Sequence, residues 1–168
     1  MDECFMLLAV LSDTHLGKTN SRFERIYDEF LAPADTVLHC GDIVSPSVLH
    51  HLMMHPDLKA VAGNMDSWTT REMLTDTISF EAEGFTIGAA HGWGSARGLA
   101  ERVAAAFGPG YDLICFGHSH IFQHTVMNGV HVVNPGSACQ SRSGPPSLAH
   151  ITLERGEPIR VKKIELGT

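Results

Sequence analysis

The chain of 168 residues has the length of one ordinary domain, and we assign residues 1–168 to that domain. Its content of 43% apolar and 18% charged residues excludes an intrinsically disordered chain. The 19 acidic residues outnumber the 12 basic ones and give a formal charge of −7, which argues against a binder of long nucleic acids but allows a small anionic substrate.

The first part of the sequence alternates apolar runs with amphipathic segments. Residues 5–12 form a continuous apolar run, which predicts a strand buried on both faces. Ser21 is the expected N-cap of a helix with apolar side chains at helical spacing, and Pro33 ends that helix. The next predicted elements are a strand, a helix and a strand, over 36–40, 45–55 and 58–62.

The later part of the sequence is richer in strands. Two strand-like segments pivot on a glycine and predict a hairpin over 77–90. An apolar stripe predicts a helix over 96–107, and a short strand over 112–116 follows it. The Asn-Gly pair at 128–129 is typical of a hairpin turn. Helices between strands imply parallel pairs and hairpins imply antiparallel ones, so we predict an α/β fold of two packed sheets with helices outside.

The cysteines carry no recognisable metal or redox motif. Cys4, Cys40, Cys115 and Cys139 include no Cys-x-x-Cys pair. Cys4 and Cys115 lie in or beside apolar runs, and we expect them to be small buried hydrophobic side chains. Free thiols suit a reducing cytosol. The acidic start at 1–3 is unlike a signal peptide, and the apolar run after it is too short to span a bilayer, so we predict a cytoplasmic protein.

Five of the predicted strands end in a polar segment. These segments are Asp13-x-His15, Gly41-Asp42, Gly63-Asn64-x-Asp66, His91-Gly92 and Gly117-His118-x-His120. Ligands bind outside the carboxyl ends of strands in open α/β sheets, so the segments converge if the strands lie side by side. We expect the neighbouring glycines to let the backbone turn tightly beneath the site.

The side chains delivered by these segments are carboxylates, imidazoles and one carboxamide. This mixed set suits borderline divalent ions such as Mn, Fe, Co, Ni or Zn. Seven candidate ligands are too many for one tetrahedral ion and fit a site with two ions that share a carboxylate. The candidate ligands are Asp13, His15, Asp42, Asn64, His91, His118 and His120.

The same segments, read in order as SDTH, GD, GNxD, HG and GHSH, resemble the motifs of the calcineurin-like metallophosphoesterase superfamily. The segment LHCGDIVS and the NPGS at 134–137 resemble its small bacterial and archaeal phosphodiesterase branch. The resemblance covers about 10–137 and implies a two-sheet β-sandwich of mixed strands flanked by helices. It also implies one metal on Asp13, His15, Asp42 and His120, and a second on Asp42, Asn64, His91 and His118.

The resemblance implies hydrolysis of a small phosphodiester by a hydroxide held between two divalent ions. Mn is the preferred ion, with Ni, Zn, Fe or Co as alternatives. Asp42, Asn64 and His91 are the candidate catalytic residues, with Asp42 bridging the two ions. The alternatives are a phosphomonoesterase or nucleotide hydrolase using the same site, or a non-catalytic protein-binding scaffold. We expect no membrane partner, and the family resemblance is compatible with a homo-oligomer.

Met65 departs from the family pattern, which has a histidine in the motif GNH followed by Asp or Glu. That histidine assists the leaving group or steadies the phosphate. Methionine cannot donate a proton, so that role is absent or is filled by another residue. We expect weaker acceleration for poor leaving groups, since general acid help contributes ~10²–10⁴-fold. Asp66 would then only orient the loop.

Several residues outside the ligand set are candidates for contact with the substrate. Trp93 and Arg97 follow His91-Gly92 and could line the mouth of the pocket, although Trp93 also suits a core position. Arg142 lies in the loop after NPGS and could meet a phosphate or remain solvated. With Asn64, we take Trp93 and Arg142 as the candidate substrate-binding residues. The NPGS itself reads as a structural turn near the metals.

The remaining histidines have simpler interpretations. We expect His39, just before Gly41-Asp42, to be packed behind the site rather than to bind a metal. The histidines predicted on a solvated face of the second helix are His50, His51 and His55. Those predicted as surface residues or hairpin partners are His124, His131 and His150.

Overall fold

The computed structural model of the protein describes residues 5–167, which form ten strands and four helices. The strands are β1 (Met6–Leu11), β2 (Thr36–His39), β3 (Leu58–Ala60), β4 (Thr77–Ala82), β5 (Phe85–Ala90), β6 (Leu113–Cys115), β7 (Phe122–Met127), β8 (Val130–Pro135), β9 (Ser147–Leu153) and β10 (Arg160–Glu165). The helices are α1 (Ser21–Ile26), continued by a π-helical turn (Tyr27–Leu31), α2 (Pro46–Leu52), α3 (Trp68–Glu72) and α4 (Leu99–Phe107). Among these helices none is long and apolar enough to cross a membrane.

The strands form two mixed sheets of five. The first sheet has the order β10-β9-β1-β2-β3, and the second has the order β4-β5-β6-β8-β7. In the first sheet β1, β2 and β3 are parallel, with Leu8 opposite Thr36. In the second sheet β5, β6 and β8 are parallel, with Ile87 opposite Leu113. The predicted two-sheet fold with helices outside is therefore confirmed.

Three apolar clusters hold four layers together. Leu8 and Val10 of β1 face a cluster between the two sheets, whereas Ala9 and Leu11 face a cluster that contains α1 and α2. A third cluster packs α4 on the outer face of the second sheet. Because β1 is covered on both faces, its side chains are apolar without alternation.

The structure differs from the sequence prediction mainly at helix ends. Asn20 rather than Ser21 caps α1, because its side-chain oxygen accepts from the backbone N–H of Phe23 at 2.9 Å. The fourth helix begins at Leu99 and not at residue 96, because Gly98 takes a left-handed φ of 67°. The five-residue helix α3, capped by Ser67, was not predicted because it is too short to show periodicity.

The second helix also ends earlier than predicted, at Leu52. His55 therefore leaves the helix, and the prediction of a solvated face is wrong for it: its ring is buried and bonds to the Ala34 carbonyl at 3.0 Å. His51 packs its ring against Phe23 and Tyr27, whereas His50 is exposed as expected.

The histidines of the late strands divide into two groups. His124 and His131 bond to each other across the β7–β8 hairpin at 3.0 Å, as expected of hairpin partners. His150 lies opposite Lys162 in the β9–β10 hairpin, where its half-buried ring also bonds to the Phe30 carbonyl at 3.0 Å.

The thiols of the described chain are free. Cys115 is buried, as predicted, and so is Cys40, whereas Cys139 is half-buried. The prediction of a buried Cys4 falls outside the described residues.

Candidate metal centre

The seven candidate ligands lie together where the ends of five strands meet. The strands do not all lie side by side in one sheet, because β1, β2 and β3 belong to the first sheet and β5 and β6 to the second. The carboxyl ends of the two sheets nevertheless face the same space. His118 shows this directly, because its backbone N–H donates to Asp13 Oδ2 at 3.0 Å, from one sheet to the other.

The first part of the site gathers around Asp13. His120 Nε2 lies 3.1 Å and His15 Nε2 lies 3.6 Å from Asp13 Oδ1. The ligand atoms of these three residues all lie within 4.8 Å of one another, which is a spacing that one metal ion can bridge. Asp13, Asp42 and His91 form a second group with the same property.

Asp42 occupies the centre of the site. Its Oδ2 atom lies 3.3 Å from His15 Nε2 and 3.3 Å from His91 Nε2. Its other oxygen, Oδ1, accepts from the backbone N–H of Met65 at 2.7 Å, which fixes the carboxylate plane. One carboxylate thus faces histidines on both sides, as a shared ligand of two ions would.

Asn64 completes the set on the side of the second sheet. Its side-chain oxygen lies 3.1 Å from His91 Nε2 and 3.2 Å from His118 Nδ1. The contacts from His120 through Asp13, His15, Asp42, His91 and Asn64 to His118 are therefore continuous.

Three histidines have one ring nitrogen engaged by a backbone carbonyl. His91 Nδ1 bonds to Cys40 O at 2.7 Å, His120 Nδ1 to Gln140 O at 2.7 Å, and His118 Nε2 to Gly94 O at 2.9 Å. Since a carbonyl can only accept, the bonded nitrogen carries the hydrogen, and in the neutral imidazole that binds a metal the other nitrogen keeps its lone pair. That second nitrogen points into the site in each case, which is the usual support for a metal-bound histidine.

Two buried atoms of the site have no hydrogen-bond partner among the described residues. They are Asp13 Oδ1 and His15 Nε2, and both face the other ligands. An unpaired buried polar atom normally costs about 1–3 kcal/mol, so a native fold rarely leaves two of them together. A divalent cation would satisfy both atoms, and the residues present therefore fit a metal.

The electrostatics of the site favour a cation. Burial would raise the pKa of the Asp13 carboxyl, but the adjacent imidazoles of His120 and His15 outweigh it and hold that pKa well below its usual range. Burial is likewise outweighed at Asp42, whose pKa is held low by His15 and His91. The nearby carboxylates of Asp13 and then of Asp42 raise the pKa of His15 to about 9. Both carboxylates therefore stay charged at neutral pH.

The backbone of the site takes a conformation that side chains usually avoid. Of the eight non-glycine residues with positive φ in the described chain, five are candidate ligands, with φ from 48° to 71°: Asp13, His15, Asp42, His118 and His120. Such residues cost free energy and persist where the surroundings hold them, commonly at functional sites. Here Asp13 N–H bonds to the Gly41 carbonyl at 3.0 Å, and Ser137 Oγ donates to the Asp13 carbonyl at 2.7 Å.

Two of the glycines at the strand ends, Gly63 and Gly117, allow neighbouring groups of the site to approach closely rather than allowing a turn. A Cβ on Gly63 would collide with the backbone and carboxylate of Asp42, and one on Gly117 would collide with the side chains of Ser12 and Asp13. Gly41 and Gly92, with φ of 92° and 97°, combine close neighbours with the positive φ of a tight turn. The expected role of these glycines therefore holds for Gly41 and Gly92 and needs correction for Gly63 and Gly117.

Residues behind the ligands brace their loops. Asp66 accepts from the backbone N–H groups of Val44 at 2.6 Å and Gly63 at 2.7 Å, so it orients its loop as expected. Asn134 of the NPGS segment donates to the Gly117 carbonyl at 2.8 Å and to Ser119 Oγ at 3.0 Å. The NPGS is thus a structural turn beside the site, as predicted.

The mouth of the site contains one residue that the sequence reasoning missed. Arg71, on α3, lines a cavity of about 290 Å³ together with Asn64, His91 and Trp93. Its guanidinium donates to the Gly63 carbonyl at 2.7 Å. Because α3 itself was not predicted, nothing in the sequence pattern placed Arg71 near the ligands.

The other residues considered for the mouth of the site have different surroundings. The backbone N–H of Arg142 donates to the His120 carbonyl at 3.2 Å, and its side chain is exposed. Trp93 is 48% exposed and lines the cavity, so it is not a core residue. Arg97 is exposed and is not among the residues that line this cavity. Met65, also exposed, contacts Asp42 through its backbone only.

A single guanidinium organises the loop over 93–98. Arg102 donates to the Trp93 carbonyl from Nη2 at 2.7 Å and from Nε at 3.2 Å, and to the Ser95 carbonyl at 2.5 Å. Its Nη1 reaches the carbonyls of Arg97 and Gly98 at 3.3 Å and 3.4 Å. This loop also carries the Gly94 carbonyl that engages His118, so Arg102 supports a candidate ligand indirectly.

The chain is similar in sequence and in fold to known proteins. The family model of the calcineurin-like phosphoesterase superfamily domain matches residues 6–156. A probable metallophosphoesterase of Methanothermobacter thermautotrophicus is 30% identical over 164 residues, which cover 96% of this chain and 94% of that protein. A phosphodiesterase of Methanocaldococcus jannaschii is 28% identical over 166 residues, which cover 90% of this chain and 96% of that protein.

Among solved structures, vacuolar protein sorting 29 from Cryptosporidium parvum has the same fold. The TM-score is 0.72 with 19% sequence identity, over 96% of this chain and 98% of that one. At this identity the similarity concerns the fold alone.

Proposed function

Because the chain belongs to the calcineurin-like phosphoesterase superfamily, we propose that it hydrolyses small phosphodiesters with the help of two divalent metal ions. The observation that carries the proposal is the position of Asp42. Its Oδ2 atom lies 3.3 Å from histidine nitrogens on either side, within a continuous set of seven ligand side chains. A shared carboxylate of this kind is the centre of a two-metal hydrolytic site.

The residues divide into two overlapping ligand sets. Asp13, His15, Asp42 and His120 would hold one ion, and Asp42, Asn64, His91 and His118 the other. Mn²⁺ is the proposed ion, with Ni²⁺, Zn²⁺, Fe²⁺ or Co²⁺ as alternatives for a nitrogen and oxygen donor set. When bound, the two ions supply Lewis acidity toward the phosphate and lower the pKa of water.

Other side chains of the site would contact the substrate, and backbone carbonyls hold the ligand rings in position. Asn64 turns its oxygen toward His91 and His118, so its amide N–H groups are free to face a phosphate oxygen. We propose that Trp93, which lines the cavity beside Asn64, and Arg142, whose backbone N–H donates to the His120 carbonyl, contact the ester groups of the substrate. The carbonyl bonds to His91 and His118 hold these rings in place before a substrate arrives.

The absence of a proton donor at Met65 sets the preferred substrate. Its side chain is 58% exposed, and only its backbone N–H takes part in the site. A diester with a good leaving group needs no general acid, whereas a poor leaving group loses that help. We therefore propose a preference for diesters whose leaving group is stable as an anion.

The free thiols Cys40, Cys115 and Cys139 support a cytoplasmic location within the same proposal.

The proposal is tested by metal analysis and by one isosteric substitution. We expect about two ions per purified chain, and Mn²⁺-dependent hydrolysis of bis(p-nitrophenyl) phosphate that is faster than that of p-nitrophenyl phosphate. Asp42→Asn should reduce kcat/KM for the diester by on the order of a hundredfold or more, because it weakens the ligand shared by both ions. Asp28→Asn, on the exposed surface of the π-helical turn, is the matched control and should keep full activity.

The outcomes separate the competing functions. Faster hydrolysis of the monoester would favour a phosphomonoesterase, and hydrolysis of nucleoside triphosphates without hydrolysis of any diester would favour a nucleotide hydrolase. Metal-dependent hydrolysis that survives Asp42→Asn would contradict the proposed site. A chain that binds no ion and hydrolyses neither ester would instead be the protein-binding scaffold.

A further inference from the structure

A groove leads from the candidate metal ligands along the edge of the second sheet. We infer that this groove receives a nucleoside as one arm of the phosphodiester, with its base stacked on Trp93. The inference rests on the proposed function, because it assumes that a phosphate sits on the metal ligands. It adds the chemical class of the substrate, which neither the motifs nor the relatives specify.

The groove consists of two adjoining cavities. The first, of about 290 Å³, begins at Asn64 and His91 and passes Arg71. The second, also of about 290 Å³, lies farther from the ligands and is lined by Ser79, Phe107 and Tyr111. The two cavities share Thr77, Ala90 and Trp93 as walls. A substrate with its phosphate at Asn64 can therefore extend past Trp93 into the second cavity.

The charge of the groove favours an uncharged arm. Among the lining residues, which all belong to the described chain, the charged side chains other than His91 are Arg71 and Asp76 in the first cavity. Arg71 Nη2 lies 3.1 Å from Asp76 Oδ1, so the two charges largely compensate. A second phosphate in the groove would meet no uncompensated cation. A nucleoside carries no charge and therefore needs no such cation.

The walls of the second cavity suit a flat ring with polar edges. The Trp93 indole is 48% exposed, and the rings of Phe107 and Tyr111 pack edge to face with centroids 5.0 Å apart. At the same place Ser79 Oγ and the Tyr111 hydroxyl lie 2.8 Å apart on the surface. An aliphatic arm would cover these hydroxyl groups without replacing their water. A nucleobase offers a face to stack and edges that accept and donate hydrogen bonds.

The stacking residue is held in place before binding. Arg102 donates twice to the carbonyl of Trp93, at 2.7 Å and 3.2 Å, so the backbone of this residue is fixed. On a fixed backbone, a tryptophan side chain has only two rotatable bonds, so it loses little entropy when a ligand stacks on it. Trp93 is therefore the specificity residue of the groove.

The test uses the two tryptophans of the chain, Trp68 and Trp93. Trp68 lines neither cavity, so Trp68→Phe leaves Trp93 as the only tryptophan and serves as the reporter protein. The Mn²⁺-treated reporter is titrated with adenosine 5′-monophosphate and with ribose 5-phosphate, which differ only in the base. We expect the base-containing probe to quench the fluorescence and to half-saturate at a concentration about tenfold lower, as stacking of one base predicts.

A second measurement compares inhibition of bis(p-nitrophenyl) phosphate hydrolysis by the same two probes. The roughly tenfold difference between their inhibition constants should persist in Trp68→Phe and disappear in Trp93→Leu. Equal inhibition constants in the wild type, or fluorescence that does not respond to the base, would overturn the nucleoside assignment while hydrolysis continues. Loss of all hydrolysis with every metal would instead contradict the proposed function, and the fluorescence titration would still decide the groove.

Discussion

At the scale of single residues, His39 shows how a side chain outside the ligand set shapes the site. It is fully buried, its Nδ1 accepts from the Gly41 backbone N–H at 3.1 Å, and its Nε2 lies 3.3 Å from Thr14 Oγ1. Burial lowers the pKa of His39 to about 3, so the ring is neutral at pH 7. Its neutral imidazole joins the loop of Asp13 to the turn of Asp42. The predicted packed position behind the site is confirmed.

We expect His39 to make the fold less stable as the pH falls below about 6.5. Its folded-state pKa of about 3 lies below the ordinary value of 6.5, so in this range the unfolded chain takes up a proton that the folded chain refuses. Stability is therefore present above pH 6.5 and is lost on acidification. Between pH 6.5 and 5, His39→Gln should reduce the slope of the unfolding free energy by up to about 1.4 kcal/mol per pH unit.

Urea unfolding of the metal-free protein at several pH values measures this slope. The low pKa values of Asp13 and Asp42 affect stability mainly near and below their ordinary value of 3.8, so they leave the chosen range nearly undisturbed. His50→Gln, on the exposed face of α2, is the control and should retain the wild-type slope. Identical slopes in the wild type and His39→Gln would mean that the buried ring already carries a proton.

At the scale of elements, the strands and the positions of the polar loops after them were predictable, but the backbone conformation of those loops was not. The apolar run predicts strand β1 correctly, because packing on both faces of the strand leaves no room for polar side chains. The positions of the polar strand ends follow from the same runs. The left-handed φ of His15 and Asp42 could not be read from the sequence, because such residues normally avoid that region. Only contacts with distant loops hold them there.

The loop between β5 and α4 allows a test of whether Arg102 supports the candidate ligand His118 indirectly. We expect Arg102→Ala to weaken the binding of one of two Mn²⁺ ions by about tenfold, the usual effect of losing the support of a ligand. Without the guanidinium, the loop loses the bonds that fix it, and the Gly94 carbonyl no longer orients His118. Arg102→Lys should restore only part of the affinity, since an ammonium group lacks the planar fork.

Titration calorimetry with Mn²⁺ resolves the two binding steps. Arg97→Ala is the matched control, because it removes an exposed arginine from the same loop and should leave both steps unchanged. Equal weakening of both steps in Arg102→Ala would indicate a general loss of structure. Two unchanged steps would show that the loop holds its shape without Arg102.

At the scale of the whole molecule, the site joins the two sheets. Asp13, His15, Asp42 and Asn64 follow strands of the first sheet, whereas His91, His118 and His120 follow strands of the second. His91 also bonds to the Cys40 carbonyl at 2.7 Å, across the boundary between the sheets. Sequence periodicity identifies strands but does not assign them to sheets, so the convergence of these loops was only a conditional expectation. The tertiary packing of the sandwich decides it.

If the two sheets share the ions, metal binding should stabilise the entire fold as one unit. Mn²⁺ at a hundred times its dissociation constant should raise the unfolding free energy by about 2.7 kcal/mol per independent site, and unfolding should remain a single transition. Thermal unfolding followed at increasing Mn²⁺ concentration measures the effect, and a chelator should reverse it. The exposed Asp28→Asn should respond like the wild type, whereas Asp42→Asn, which weakens the ligand between the sheets, should respond much less. A transition that divides in two when Mn²⁺ is added would mean that the ions stabilise one sheet alone, and the cross-sheet arrangement of the ligands would then have to be abandoned.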